Sequence, residues 1–487
     1  MTTTRSTAAD GPVGLAATGQ VETSRTEPGG RRVAAIVAVL ALAVFMSSLD
    51  LFIVNLAFPY IGKEYPGTSL GSLSWVLNGY TIVFAAVLVP AGRWADRVGR
   101  RRVFSIGLIG FTAGSLLCGL APSVATLIGA RVIQAAGAGL MVPASLSLLL
   151  ASVPAKARSS AIGAWSAVGA LGAALGPVVG GSLVQLDWRW VFWINLPVGL
   201  AAIALARRVV PESKDDRITG RPDVAGAGLL AAAVGLVAFA LVKAPDWGWG
   251  SVAFLGTMAA AVLSGAAMVV RSRAHHSPVI ELGLLREKTF SGAFGASILY
   301  YAAFGAFVLN SVEFLTGVWH YSAVRAGLAI GPGPLMVLPF ASLVAPRLAA
   351  KLGGPGRVAV IGCLVNAGGM LLWFTQLQAH PAYLTHLLPS QLLSGAGVGL
   401  AIPSLLAAGS AALPPARFGT GSGILNMGRQ IGTVLGVAGL VAILSHVSAS
   451  DPVLTFKHAV LLVVMLFAAA GLVAAILLTG RKRPAPS

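Results

Sequence analysis

Fourteen apolar runs separated by short polar gaps account for most of the chain. They fall at roughly 33–58, 73–91, 103–121, 123–150, 159–184, 190–206, 224–242, 251–270, 290–318, 326–350, 358–378, 384–410, 419–445 and 457–480. An α-helix needs about 20 such residues to cross the hydrocarbon of a bilayer. In that medium the backbone must satisfy its own hydrogen bonds, which runs of this length do as helices. The pattern predicts an all-α polytopic membrane protein with fourteen transmembrane helices.

The polar gaps set the orientation. With the N-terminus inside, only Lys63, Arg189, Lys243, Arg325 and Lys457 fall in outer loops, while Arg131 and Arg429 lie within spans. Every other Lys and Arg gathers in the inner loops and tails, as the positive-inside rule requires. Omitting one span would invert every later loop, so both termini are expected to be cytoplasmic. Trp75, Trp94, Trp188, Trp190, Trp193, Trp247, Trp249 and Trp319 sit near predicted helix ends, where amphipathic rings favour the interface. Residues 1–32 are polar and read as a disordered cytoplasmic tail without a removable signal peptide; 481–487 form a second short tail.

Composition removes several function classes. Of 487 residues, 56% are hydrophobic and only 10% charged, against about 25% charged in a soluble domain. The net charge of +18 suggests a nucleic-acid partner until its placement in short alternate loops is considered. The densest stretch, GRWADRVGRRR at Gly92–Arg102, is one such loop, with Asp96 its one acid. Cys118 and Cys363 lie inside apolar runs, and His275, His276, His380 and His386 show no zinc spacing. There is no GxxxxGK[ST] phosphate loop. GAGAGL and GAGVGL lie within spans with no preceding strand, so a dinucleotide site is not expected. No nucleophile–base pair stands out. The expected partners are a small-molecule substrate, protons and the lipid bilayer, with no metal, cofactor, enzymatic activity or nucleic acid.

The chain also repeats. RVIQAAGAGLMVPAS at 131–145 aligns with QLLSGAGVGLAIPSL at 391–405, pairing Pro143 with Pro403. At the same offset Gly163, Gly172 and Gly176 meet Gly423, Gly432 and Gly436. Two parallel six-helix halves are therefore expected, at 33–206 and 290–480. Connectors and two inserted helices, about 224–242 and 251–270, occupy 207–289.

Within spans, acids are scarce: Asp50 and Glu313. Asp50 and Arg131 each lie about 13 Å from the outer ends of their helices, at about 1.5 Å per residue. A charge in the membrane normally needs such a partner. The pair is either a titratable switch suited to proton coupling or a fixed structural ion pair. Glu313, nearer water, is either a second proton or cation site or an interfacial glutamate. Asn55, Asn78, Tyr80, Gln134, Asn310, Asn426, Arg429 and Gln430 are candidates for lining a polar cavity, or for helix–helix hydrogen bonds. Gly172, Gly176 and Gly180, with Pro177, and Gly428, Gly432 and Gly436 each mark one helix face. They are read as a flexible seam between the halves or as tight static packing.

Taken in order, five motifs resemble the major facilitator superfamily, in particular its fourteen-helix drug:proton antiporter branch. They are SSLDLFIVNLAFP at 47–59, GRWADRVGRR at 92–101, RVIQAAGAG at 131–139, GALGAALGPVVGG at 169–181 and WRWVFWINLPVG at 188–199. The resemblance implies a major facilitator fold in the cell membrane and proton-coupled export of drug-like molecules by alternating access, with the monomer as the working unit. It implies a gating role for Gly92, Asp96, Arg97, Gly99, Arg100 and Arg101. The chain departs from the pattern in having Ala350 where the first loop has Asp96, Asn78 in place of a small hydroxyl residue, and no acid in the thirteenth helix. The last departure weakens the expectation of cationic substrates. A metabolite importer or facilitator of the same fold, or a transport-inactive receptor or assembly protein, are the alternatives.

Overall fold

The computed structural model describes residues 30–154, 158–214, 222–276, 278–411, 413, 418–445 and 451–479. Most of the expected N-terminal tail, all of 481–487 and part of the 207–289 connector lie outside these residues. Among the described residues, fourteen helices are long and apolar enough to cross a membrane. They are α1 (Gly30–Glu64), α2 (Leu70–Val98), α3 (Arg100–Gly119), α4 (Val124–Ser152), α5 (Arg158–Leu186) and α6 (Trp190–Val209); α7 (Val224–Trp247) and α8 (Val252–Ala274); and α9 (Lys288–Gly317), α10 (Ala323–Leu352), α11 (Pro355–Gln376), α12 (Tyr383–Ala411), α13 (Phe418–Leu444) and α14 (Pro452–Leu478).

Local sequence explains where helices start and break. Side-chain oxygens of Ser69, Ser123, Ser251, Ser322, Asp223 and Asp451 accept amide bonds from the first turns of α2, α4, α8, α10, α7 and α14, satisfying donors that a helix start leaves orphaned. In α6 the regular helix stops at Trp193 and resumes at Asn195. Pro197 has no amide to continue the earlier turn, so the break follows from its chemistry. Three prolines at 332, 334 and 339 precede a wide π turn at Phe340–Val344 in α10.

Packing repeats in the two sets of six helices. α1 lies on α5 and α3 on α4, just as α9 lies on α13 and α11 on α12. The sets meet through α2 with α13 and through α5 with α10. The α5–α10 contact is concentrated at Ala323–Ile330 and thins along the rest of α10. There Tyr60 Oη accepts from the Ala323 amide at 3.3 Å, and a Cβ on Gly327 would stand 3.0 Å from the Pro177 carbonyl carbon. This contact lies at the end remote from the Gly92–Arg102 loop, while α2 and α13 meet closer to that loop, where a Cβ on Gly423 would stand 3.4 Å from Val89. α7 rests in the seam between α2 and α13, and α8 packs on α7. Val252, Val262 and Leu263 of α8 and Leu472 and Ile476 of α14 are largely exposed, forming an apolar coat for lipid.

The glycine trios do not form a seam between the halves. Gly172, Gly176 and Gly180 face Phe45, Phe52 and Ile53 of α1; Gly428, Gly432 and Gly436 face Phe294, Ile298 and Ala302 of α9. A Cβ on Gly172 would lie 2.6 Å from the Phe45 carbonyl oxygen. Small residues let backbones meet closely where lipid offers no hydrophobic drive for association. Each trio therefore seals its own half, while Pro177 turns its carbonyl toward the other.

Candidate functional site

Asp50 and Arg131 are both fully buried. Arg131 Nη1 donates to Asp50 Oδ2 at 2.5 Å and to Gln134 Oε1 at 2.7 Å, and its Nε donates to the Val76 carbonyl at 3.1 Å. One turn further along α4, Gln134 Nε2 donates to Asp50 Oδ1 at 2.8 Å and to Ser115 Oγ of α3 at 2.7 Å. Asn195, where α6 resumes, reaches Asp50 Oδ1 at 3.4 Å and Ser115 Oγ at 3.3 Å. The guanidinium carbon lies 3.9 Å from the centroid of the Tyr80 ring. Five helices of the first six thus converge on one carboxylate.

Burying an ion pair costs less when its remaining lone pairs and protons are also hydrogen-bonded. Here each Asp50 oxygen has a donor, and the neutral amides of Gln134 and Asn195 can hold the carboxyl group if the guanidinium moves. Arg131 Nη2 has no hydrogen-bond partner among the described residues.

Several expected cavity residues are placed differently. Gln134 and Tyr80 belong to the buried Asp50–Arg131 network, because helical spacing puts them on the side of their helices that faces α1 and Arg131. Asn78 and Asn310 are fully enclosed, with Asn78 Nδ2 and both Asn310 amide atoms unpartnered among the described residues. Asn55 Nδ2 turns back to the Leu51 carbonyl at 2.8 Å, and Gln430 is buried. Asn426 and Arg429 remain partly exposed. Arg429 Nη1 donates to Asn426 Oδ1 at 2.8 Å, and its guanidinium covers Tyr301 at 4.6 Å. Glu313 takes no part in the Asp50 network; its Oε1 is sealed from solvent without a hydrogen-bond partner among the described residues.

The corresponding core of the second half is neutral. Asn366 joins Tyr300 Oη at 2.6 Å to Ser394 Oγ at 2.7 Å. With its amide oxygen turned toward Tyr300, it also accepts from the Val398 amide at 3.1 Å. In the repeat, Gln391 and Ser394 stand where Arg131 and Gln134 do. Gly172 meets Phe45 and Leu49 as Gly432 meets Ile298 and Ala302, which places Ala303 opposite Asp50.

In the loop, Asp96 Oδ1 pairs with Arg100 Nε at 2.7 Å, and Arg93 reaches Glu281 at 2.8 Å. Gly99 has φ +125°, and a Cβ there would lie 3.0 Å from the Glu212 carboxyl. That close approach lets Glu212 accept from the amides of Arg101 and Arg102 at 2.9 and 3.2 Å, a carboxylate on a helix N-terminus. The Arg100 amide donates to the Ser213 carbonyl at 2.8 Å. Sequence reasoning missed Ser115, Asn195, Glu212 and Glu281. Asn195 and Ser115 were detectable as polar residues at or within apolar runs, whereas the two glutamates look like ordinary loop acids.

The Major Facilitator Superfamily model matches residues 40–437. The multidrug resistance protein Stp of Mycobacterium tuberculosis is 34% identical over 413 residues, 83% of this chain and 74% of that one. The methylenomycin A resistance protein of Streptomyces coelicolor is 33% identical over 447 residues, 89% and 91% of the two chains. Among solved structures, a POT family transporter in complex with a thioalcohol-conjugated peptide superposes with a TM-score of 0.67 at 15% identity, over 92% of this chain and 95% of that one; at that identity the likeness concerns the fold.

Proposed function

The chain belongs to the Major Facilitator Superfamily, and from that premise we propose that it exports moderately hydrophobic small molecules, such as antibiotics or other toxic metabolites, in exchange for protons. The observation that carries this reading is the buried carboxylate Asp50, held at once by one cation and two neutral amides. The resistance proteins named above support the substrate class.

Taking the arginine-rich loop as cytoplasmic, the α5–α10 contact closes the outer end between the halves, and opening at the cytoplasmic end admits substrate. Substrate enters between the halves, where the partly exposed Arg429 and Asn426 offer polar contacts. After outward release, a proton from outside neutralises Asp50 and frees Arg131 from its ion pair, favouring return to the inward-facing state. Proton loss to the cytoplasm then restores the pair. Glu313, with an unpartnered oxygen, is a second proton-carrying carboxylate. Asp96 and its arginines, clamped by Glu212 and Glu281, regulate opening at the cytoplasmic end. One chain contains both halves, so the monomer is the transporting unit.

The test is transport in reconstituted vesicles under an imposed pH gradient, comparing the native protein with Asp50→Asn. Gradient-driven flux in the native protein and its loss in the variant are expected. Native flux that ignores both gradient and protonophore would sink the coupling, and an unimpaired variant would remove Asp50 from it.

A further inference from the structure

Where α8 leaves the apolar layer, a cleft of about 750 Å³ lies between its last turn and the segment leading into α9. Val269, Pro278 and Leu282 form its apolar walls, with Arg273 and Arg286 among its charged lining residues. Two residues earlier on α8, Arg271 Nε donates to Asp223 Oδ1 at 2.6 Å, which fixes this end of α8 against the start of α7. Arg273 and Arg286 have no such partner among the described residues, and both are exposed. The one acid in the lining, Glu281, is engaged with Arg93 at 2.8 Å. The cleft therefore presents two uncommitted guanidinium groups above an apolar floor.

We propose that this cleft binds the headgroup of an anionic phospholipid, with Arg273 and Arg286 holding its phosphate. Guanidinium groups match phosphate oxygens in geometry as well as charge. The source is lipid rather than a soluble anion because the cleft continues from the outer face of α8. On that face Val262, Leu263 and Val270 are 66%, 69% and 65% exposed. Acyl chains running along these residues bring a headgroup to the level of the two arginines. Basic groups at a membrane surface attract anionic lipid through the same combination of charge and depth. Lipid binding at this cleft does not depend on which molecule is transported or in which direction.

The experiment is lipid binding to the purified full-length protein by native mass spectrometry. Phosphatidylglycerol is titrated against phosphatidylcholine, and separately against inorganic phosphate. The native protein should retain phosphatidylglycerol in preference to phosphatidylcholine, and R273Q/R286Q should lose that preference by about tenfold or more. Arg207→Gln, which neutralises an exposed arginine at the same end of the molecule but outside the cleft, should bind as the native protein does. Size-exclusion profile and melting temperature check the fold. If the double variant aggregates, R273Q and R286Q singly should each show a smaller part of the loss. Equal lipid retention by native protein and folded variants would overturn the proposal. So would equal competition by phosphatidylcholine, or displacement of the lipid by inorganic phosphate at matched concentration.

Discussion

Gly172 brings α5 against the backbone of α1 at Phe45 and Leu49, and Gly432 brings α13 against α9 at Ile298 and Ala302. Inside this shared scaffold the two halves carry different polar cores. The first holds Asp50 and Arg131 in a network drawn from five helices. The second holds Tyr300, Asn366 and Ser394, with Ala303 and Gln391 at the charged positions. The loops differ in the same sense, since Asp96 bonds Arg100 while its counterpart is Ala350. A duplicated architecture thus separates two tasks. The glycine contacts give both halves close packing, and the charges give one of them a buried ion pair that the other lacks.

The sharpest way to break this comparison is to make the first core resemble the second. Arg131→Gln leaves Asp50 buried without its cation, and melting in detergent should report a loss of about 3–5 kcal/mol. The double variant Asp50→Ala/Arg131→Gln removes both charges and should recover more than half of that loss while remaining inactive in gradient-driven transport. A single variant no less stable than the double would mean that the charge pair does not distinguish the halves.

A smaller effect tests what the halves share. Gly172→Leu and Gly432→Leu each force a side chain into a neighbouring helix backbone, and overpacking of this kind costs about 1–3 kcal/mol. The two melting shifts should be similar. A large loss in one half alone would show that the seams are not equivalent.

The smallest effect is expected in the loop. Asp96→Ala reproduces the Ala350 condition and removes an i,i+4 pair worth about 0.3–0.5 kcal/mol. Stability and membrane insertion should be nearly unchanged, while cysteine-accessibility labelling shifts between the two ends of the molecule. Unchanged labelling would leave Asp96 as a local loop contact without a role in gating.

Asp50 and Arg131 were legible in the sequence because isolated charges in apolar runs need partners, and equal depth made each the other's candidate. The structure pairs them directly. Gln134 suggested a cavity residue because a lone polar side chain in a span does not declare its orientation; it faces Asp50 and Ser115 instead. Asn195 was quoted within a motif, but its importance depends on the helix break that turns it toward Asp50. Glu212 and Glu281 carried no sequence signal. A loop acid acquires meaning when the fold brings it to the start of another helix or to an arginine far away in the chain.

The sequence by itself determined the fourteen spans, the position of every charge relative to them and the duplication. A bilayer imposes a linear constraint of length, apolarity and charge placement that can be read along the chain. Which faces meet was decided by the tertiary structure. The glycine spacing marked a packing face without revealing that it lies against α1 or α9, nor did the runs reveal that α7 would enter the seam between α2 and α13. Among apolar helices in lipid, association depends on close van der Waals fit and a few polar contacts, and that complementarity exists only between surfaces already brought together.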